Sequence, residues 1–452
     1  MSNQVLPAPV YDTPSGKRAI YYYPNWVNYG RKVFVKDIPV GQITDISYAF
    51  FDVKEDGIVY SKDEWADYGN TFPGNSVVPL AADAPERHKG CLGQFMLLHE
   101  AGNRFNLSIA IGGWTWSKYF SPAVSTAANR QRFVDSLVAL FRRYPGLFNG
   151  ISLDWEYLSD NGINYGLDGN IATPSDAVNF IELLKLIKAT LPGFLIAFCV
   201  GPAPEKMHMP IKDISGYIDQ LHAMAYDYAG FSGEVVTAHH TNPRKSSVGK
   251  YSAEESADLY IKAGVPASKI FTGGAFYSRG FSGTDGFGKP ATGGISTDFE
   301  FAEEPGILPY RMLPAPGATE FLDPESKGAY SFDPVKRIVN TYDNPESLGE
   351  KIKIIHEKGL GGIIIWEIAG DIRDYTNPRS LRRFLTENLT HKIPAPSIAT
   401  TLASTLAPWT TPPSGGSKGA FPWKIAVGVT IAVLVLVIAL CLLVRASKKR
   451  KT

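Results

Sequence analysis

Eight short runs of β-branched and aromatic residues, separated by longer stretches of helical periodicity, constrain this chain more than any other feature. They are RAIYYYP from Arg18, DISYAFFD from Asp45, LSIAIGG from Leu107, FNGISLDWE from Phe148, FLIAFCVG from Phe194, IDQLHAMAYD from Ile218, KIFTGGAFY from Lys269 and GGIIIWE from Gly361. Near-continuous apolar runs of this kind suit strands covered on both faces, as parallel strands are. Helical patterns lie between most of them, at Leu92 to Ala101, Arg130 to Tyr144, Ser175 to Leu191, Ala253 to Ala263 and Pro345 to Lys358. Ser175 stands where an N-cap would stand. Eight strands alternating with helices predict an α/β fold, a (β/α)8 TIM barrel over residues 18–390, enlarged because such a barrel needs only ~250 residues. A doubly wound sheet is the alternative, lowered because no G-x-G-x-x-G follows the first strand. The strand-poor piece Phe281 to Tyr330 is expected to form a small subdomain between strands seven and eight, and residues 1–17 a leading extension.

The chain is 452 residues long, with 45 Lys and Arg against 44 Asp and Glu and a formal charge of +1. No basic surface for nucleic acid is expected from that balance. Three cysteines, Cys91, Cys199 and Cys441, exclude a disulfide scaffold, and Cys199, inside an apolar run, is expected to be a buried thiol. The eight histidines are scattered apart from His239 and His240, and no C-x-x-C occurs, so neither a metal site nor a cofactor is expected.

The two ends differ. Met1 to Gly16 holds no apolar core of a signal peptide, so the mature chain is expected to start near Met1. Residues 391–424 are rich in Pro, Ser, Thr, Ala and Gly, a composition that buries no core and predicts an extended stalk. Ile425 to Val444 then reads IAVGVTIAVLVLVIALCLLV without a charge. At ~1.5 Å rise per residue, twenty residues span about 30 Å, the hydrocarbon thickness of a bilayer. Phe421 and Trp423 stand at the place of an interfacial anchor, and the tail 445–452 carries Arg445, Lys448, Lys449, Arg450 and Lys451. That charge puts the tail in the cytosol and the folded domain outside or in a lumen. The missing signal peptide argues the opposite, for a tail-anchored protein with a cytosolic domain. A basic cluster after the span disfavours a GPI anchor.

The fourth run carries the chemistry. In NGISLDWEY, alternation places Ser152, Asp154 and Glu156 on one face of a strand and Ile151, Leu153 and Trp155 on the other. Catalytic groups of such barrels sit at the carboxyl ends of strands, so two carboxylates are expected to project together at the mouth. Held close, they raise the pKa of one and keep a general acid protonated near neutral pH.

At this point the sequence resembles glycoside hydrolase family 18, the chitinase family, whose D-x-x-D-x-D-x-E signature stands here as Asn149, Ser152, Asp154 and Glu156. LSIAIGGWTWS from Leu107, MAYDY from Met224, AFYSRGF from Ala275 and GGIIIWE from Gly361 resemble further motifs of that family in the same order. The resemblance implies a substrate-assisted retaining mechanism, the exception among glycosidases that needs no carboxylate nucleophile. It implies that Glu156 protonates the glycosidic oxygen while the N-acetyl carbonyl of the −1 sugar attacks its own anomeric carbon. It also implies that Asp154 orients the acetamido N–H, that Tyr226 donates to the acetamido oxygen and that Tyr22 closes the pocket. Trp366 would be the floor under the −1 sugar, with Met224, Asp227 and Arg279 as further contacts and Trp114, Trp116 and Trp26 as stacking surfaces. Core packing is the competing role for Trp116 and Trp26, and a structural salt bridge for Asp227. The implied partners are chitin or N-acetylglucosamine oligosaccharides, and the membrane through the terminal helix.

Two departures from the pattern bear on activity. Ser152 replaces the middle acid and Ala110 replaces a serine of the third strand, which leaves Asp154 with fewer groups to hold it. Because Glu156 is kept, a working chitinase is the expectation. The alternatives are a chitin-binding lectin on the same barrel and a membrane-anchored adhesion protein.

Overall fold

A strand can be apolar along its whole length only if it is covered twice, and all eight runs meet that condition. In the computed structural model, which describes residues 5–160, 162, 169–230, 235–295 and 306–391, they form β1 (Arg18–Pro24), β2 (Asp45–Val53), β3 (Asn106–Gly112), β4 (Gly150–Asp154), β5 (Leu195–Val200), β6 (Gln220–Ala223), β7 (Ile270–Ala275) and β8 (Gly362–Trp366). Neighbours pair in parallel in chain order, and β1 pairs with both β2 and β8, which closes the barrel. The expected (β/α)8 architecture is therefore observed, and the doubly wound sheet is not.

Period-two alternation sorts each strand into an outer and an inner layer. Tyr21 and Tyr23, Ile109 and Ile111, Ile151 and Leu153, and Ile363 and Ile365 belong to the large core shared with the surrounding helices. Ile20, Tyr22, Ala110, Cys199 and Ile364, one residue out of phase, form a small separate cluster inside the barrel with Phe50, Met224 and Phe271. The inner layer is thin, and its upper side opens on the aromatic side chains of the mouth.

The helices Gly90–Glu100, Ala127–Arg143, Asp176–Thr190, Ala253–Lys262 and Pro345–Lys358 lie close to their predicted places. Ser175 precedes the third of these, but its side chain makes no capping bond. Asp176 does the local bracing instead, accepting from the Thr173 N–H at 2.8 Å. The helix Ala253–Lys262 is capped by Ser252, whose oxygen accepts from the Glu255 N–H.

Residues 5–17 run past the amino ends of β3 and β4. Asn106 exchanges two bonds of 2.8 Å with the Tyr11 backbone, and Asn149 donates to the Pro9 carbonyl at 3.1 Å and to Asn106 Oδ1 at 2.8 Å. Asn149, where the family signature has its first acid, thus braces the barrel floor, a task that uses the amide hydrogens an aspartate lacks.

The piece between β7 and β8, expected to be strand-poor, is instead an antiparallel sheet. Its strands are Tyr277–Ser282, Gly293–Gly294, Ile307–Pro309, Thr319–Leu322, Ala329–Asp333 and Ile338–Tyr342. They are two to six residues long, three of them hold Gly or Pro and the others mix polar with apolar residues, so no apolar run announced them. Lys351 and Asp343, both wholly buried, pin this sheet's return to the barrel. The ammonium reaches Asp343 at 2.7 Å, Thr241 Oγ1 at 2.7 Å and the Gly273 carbonyl at 2.8 Å, so every proton of the buried charge is used.

Among the described residues no helix is long and apolar enough to cross a membrane. The predicted stalk, the predicted membrane helix at 425–444, the basic tail and Cys441 lie outside the described residues. Cys91 and Cys199 are buried and unpaired.

Candidate active site

Inner-face residues at the carboxyl ends of the strands converge on one cleft of about 760 Å³, a size suited to small organic ligands. Asp154 ends β4, and Glu156 follows in the turn, its backbone fixed from two sides. The Ser117 oxygen accepts the Glu156 N–H at 2.9 Å while its own hydrogen is shared between the carbonyls of Gly113 and Asp154, and Asn170 donates to the Glu156 carbonyl at 2.6 Å. Trp155 points the other way and stacks on Phe120, with centroids 5.2 Å apart. Gly112 has φ +102°, and a Cβ there would meet the Asp154 carbonyl oxygen at 2.3 Å. Only glycine lets β3 end this close to the acid pair.

The two carboxyls are almost excluded from water, Asp154 at 4% and Glu156 at 8% exposure. Burial pushes Asp154 up to about 7. Burial and then the neighbouring Asp154 charge push Glu156 well above the usual carboxylate range. Near neutral pH Glu156 therefore keeps its proton while Asp154 shares or loses its own, a division of labour between acid and anion. Asp154 Oδ1 is buried with no hydrogen-bond partner among the described residues.

Tyr226 stands over the pair from the turn after β6, and burial keeps its phenol protonated. Gly273 on β7 makes room for it, since a Cβ there would meet the Tyr226 ring at 2.8 Å. Met224 lies between β6 and that turn, in the cleft wall. Asp227 adopts φ +59°, and its Oδ1 accepts from Arg279 Nε and from the Tyr277 hydroxyl, each at 2.7 Å. Burial alone would raise its pKa, but the Arg279 guanidinium and the His240 ring outweigh that and hold it well below the usual range. Asp227 is thus both a salt-bridge acid and part of the cleft wall. The bridge ties the barrel to the first strand of the inserted sheet.

Trp366 ends β8 and lies nearly parallel to Phe50, with centroids 5.7 Å apart and planes at 22°, while Tyr22 packs beside it at 5.8 Å. Trp26 contacts Phe50, Trp116 and Trp366. Trp26 and Trp116 are half-buried in the cleft wall rather than in the core. Trp114 is 41% exposed opposite Tyr157. A row of ring faces beside carboxylates and a guanidinium suits a chain whose units are apolar on one face and hydroxylated at the edges.

All nine site residues predicted from the sequence, Glu156, Asp154, Tyr226, Tyr22, Trp114, Met224, Asp227, Arg279 and Trp366, line this single cleft. Sequence reading missed Phe50, Tyr157, Ser117 and the buried pair of Arg31 with Glu367. Arg31 lies in a loop after β1 and Glu367 after β8, and nothing local in either stretch signals a partner over 300 positions away. Among the described residues no cluster of His, Cys, Asp and Glu is arranged to hold a metal ion.

A family model described as Glycosyl hydrolases family 18 matches residues 18–371. Endochitinase 1 of Metarhizium robertsii is 34% identical over 382 residues, covering 80% of this chain and 84% of that protein. Chitinase 1 of Aphanocladium album is 33% identical over 368 residues, covering 78% and 81%. Among solved structures, the catalytic domain of psychrophilic chitinase B from Arthrobacter superposes with a TM-score of 0.73 at 25% identity, covering 86% of this chain and 98% of that one.

Proposed function

Because this chain belongs to glycosyl hydrolase family 18, we propose that it is a chitinase that cleaves β-1,4 bonds between N-acetylglucosamine units. The observation that carries the reading is the buried pair at the mouth, Glu156 held protonated beside Asp154 under Tyr226. Glu156 gives its proton to the glycosidic oxygen. The substrate's own acetamido carbonyl attacks the anomeric carbon, and the resulting oxazolinium is opened by water that returns the proton to Glu156. The Asp154 carboxylate takes the acetamido N–H and offsets the positive charge as it forms. Tyr226, kept as a phenol by burial, donates to the acetamido oxygen, and Trp366 carries the −1 sugar. Trp114 and the wall of Trp26, Trp116 and Phe50 hold flanking sugars. Because a lectin has no use for a buried general acid, the pair favours catalysis over recognition alone.

The anchor belongs to the same proposal. An uncharged run of twenty residues between a Pro- and Ser-rich stalk and a basic tail supports a single membrane span, with the barrel on the outer or lumenal side by the charge of the tail. One experiment addresses both parts: the full-length chain is expressed in cells, fractionated and assayed. Activity is expected in the membrane fraction, on N-acetylglucosamine oligomers and not on glucose oligomers, which lack the acetamido nucleophile. Sealed vesicles are expected to shield the basic tail or the barrel, and which one fixes the orientation. Equal cleavage of both oligomers would exclude substrate assistance.

A further inference from the structure

Beneath Asp154 the barrel interior holds four polar side chains whose hydrogens the hydrolysis leaves unaccounted for: Tyr22 on β1, Ser152 on β4, Cys199 on β5 and His222 on β6. All are at least 98% buried. The parallel register sets Leu153 beside Phe198, so one step on, Cys199 stands beside Asp154. On the other side β3 offers Asp154 only Gly112, and Ser152 only Ala110. The two neighbours that could have held the acid from that side have no polar side chain.

The hydrogens in this cluster can be placed one after another. Gln220 Oε1 lies 3.0 Å from His222 Nε2, and an amide oxygen only accepts, so Nε2 carries the ring hydrogen and Nδ1 presents a lone pair. Burial keeps the imidazole neutral, its pKa pushed down to about 3. Tyr22 OH, 3.1 Å from Nδ1, donates to it. The Tyr22 oxygen then accepts from the Ser152 hydroxyl, also at 3.1 Å. Cys199 Sγ touches both hydroxyls, at 3.1 Å from Tyr22 and 3.6 Å from Ser152. Sγ also lies 3.9 Å from His222 Nδ1, whose lone pair Tyr22 already uses, so the thiol hydrogen is the one this sequence leaves to choose, between the Ser152 oxygen and an acceptor outside the cluster. Asp154 Oδ1, next to it along the ladder, is the buried acceptor without a donor.

We propose that Cys199 is a positioning residue of the hydrolysis, its thiol donating to the Asp154 carboxylate before substrate binds and releasing it when the acetamido N–H arrives. A neutral shelf of Tyr22, Ser152, Cys199 and His222 thereby replaces the middle acid of the signature. This rests on the hydrolase reading and deepens it. The other titratable groups around the pair are Glu156 and Tyr157 beyond β4, Lys206 beyond β5, and Tyr226 and Asp227 beyond β6. They line the mouth, not the shelf below Asp154.

The test uses the full-length chain and the variants Cys199→Ala and Cys199→Ser, each checked by thermal melt. A weak donor to the carboxylate lowers its pKa, so its loss in Cys199→Ala is expected to move the acid limb of kcat/KM upward by about 0.5–1 pH unit. Because the thiol has released the carboxylate in the complex, kcat on an N-acetylglucosamine oligomer is expected to stay within about twofold while KM rises on the acid side. Cys199→Ser, which keeps a donor of similar size, is expected to return the limb to the wild-type position or below. Limbs that coincide in all three folded proteins overturn the proposal, as does a serine variant that behaves like alanine. A readout independent of turnover is the infrared S–H stretch of Cys199, identified by its loss in Cys199→Ser. It is expected to shift to lower frequency as the pH is raised through 7 and Asp154 ionises, and a band that stays in place overturns the proposal. Wild-type protein without hydrolysis would count against the functional reading, while the S–H band would still decide the role of Cys199.

Discussion

Replacing Glu156 with Gln is expected to reduce kcat on N-acetylglucosamine oligomers by about 10³-fold or more while leaving their affinity within a few fold. General acid catalysis contributes 10²–10⁴-fold, and the leaving oxygen here has no other buried donor assigned to it. The amide keeps the shape of the side chain, and the groups that set its position, Ser117 and Asn170, act on the Glu156 backbone and are indifferent to the change. Turnover by product analysis and affinity by the fluorescence of the cleft tryptophans separate the two effects. Retained turnover would move the acid elsewhere, and lost affinity would show that Gln had collapsed the cleft.

Asp154→Asn is expected to act in opposite directions on activity and stability. Without the anion the forming oxazolinium loses its counter-charge, and kcat is expected to fall by roughly 10²-fold, the scale of losing one preorganised electrostatic partner. Stability changes the other way. An unfolded aspartate titrates near 3.9, while burial holds the folded carboxyl up to about 7. Between those values the folded chain binds a proton that the unfolded chain has released, so this group costs stability as the pH rises through the window and the cost is complete above about 7. The asparagine removes that cost. The variant is expected to exceed wild type by about 1–3 kcal/mol at pH 8 and by nothing at pH 4, allowing for the sharing of charge with Glu156. Thermal melts at the two pH values check it, and a variant less stable than wild type at pH 8 would mean that the carboxylate is held by donors the structure does not show.

The barrel was legible because its constraint is local and repeated: each strand is covered twice, so each is a continuous apolar run, and period two then assigns its inner face. That rule alone places Ser152 and Asp154 inside and Trp155 outside. The inserted sheet was not legible, since its strands are two to six residues long and either hold glycine or proline or mix polar with apolar residues. Ser175 misled because its hydroxyl turns back to the Thr173 hydroxyl, 3.1 Å away, and not to the first turn of the helix. The substitutions Ser152 and Ala110 were visible, but their consequence was not. Where fewer partners for Asp154 were expected, the structure shows an orphaned Oδ1 above a cluster assembled from four strands, including Cys199 and His222, whose proximity no sequence spacing encodes. Restoring the middle acid of the signature would take Ser152→Asp with Ala110→Ser. The cluster now present argues against a simple gain, because the new carboxylate would stand among Tyr22, Cys199 and His222 in a space already filled.

The central claim is that the substrate's own acetamido group, and not an activated water, makes the first attack. The anomeric configuration of the product, followed by proton NMR in the first minutes of hydrolysis of an N-acetylglucosamine oligomer before mutarotation, tests it most directly. Attack by the acetamido oxygen from one face and by water from the other gives the retained β-anomer, which is the result expected. Release of the α-anomer would mean a single displacement by water with Asp154 as base, and would contradict the roles assigned to Asp154 and Tyr226.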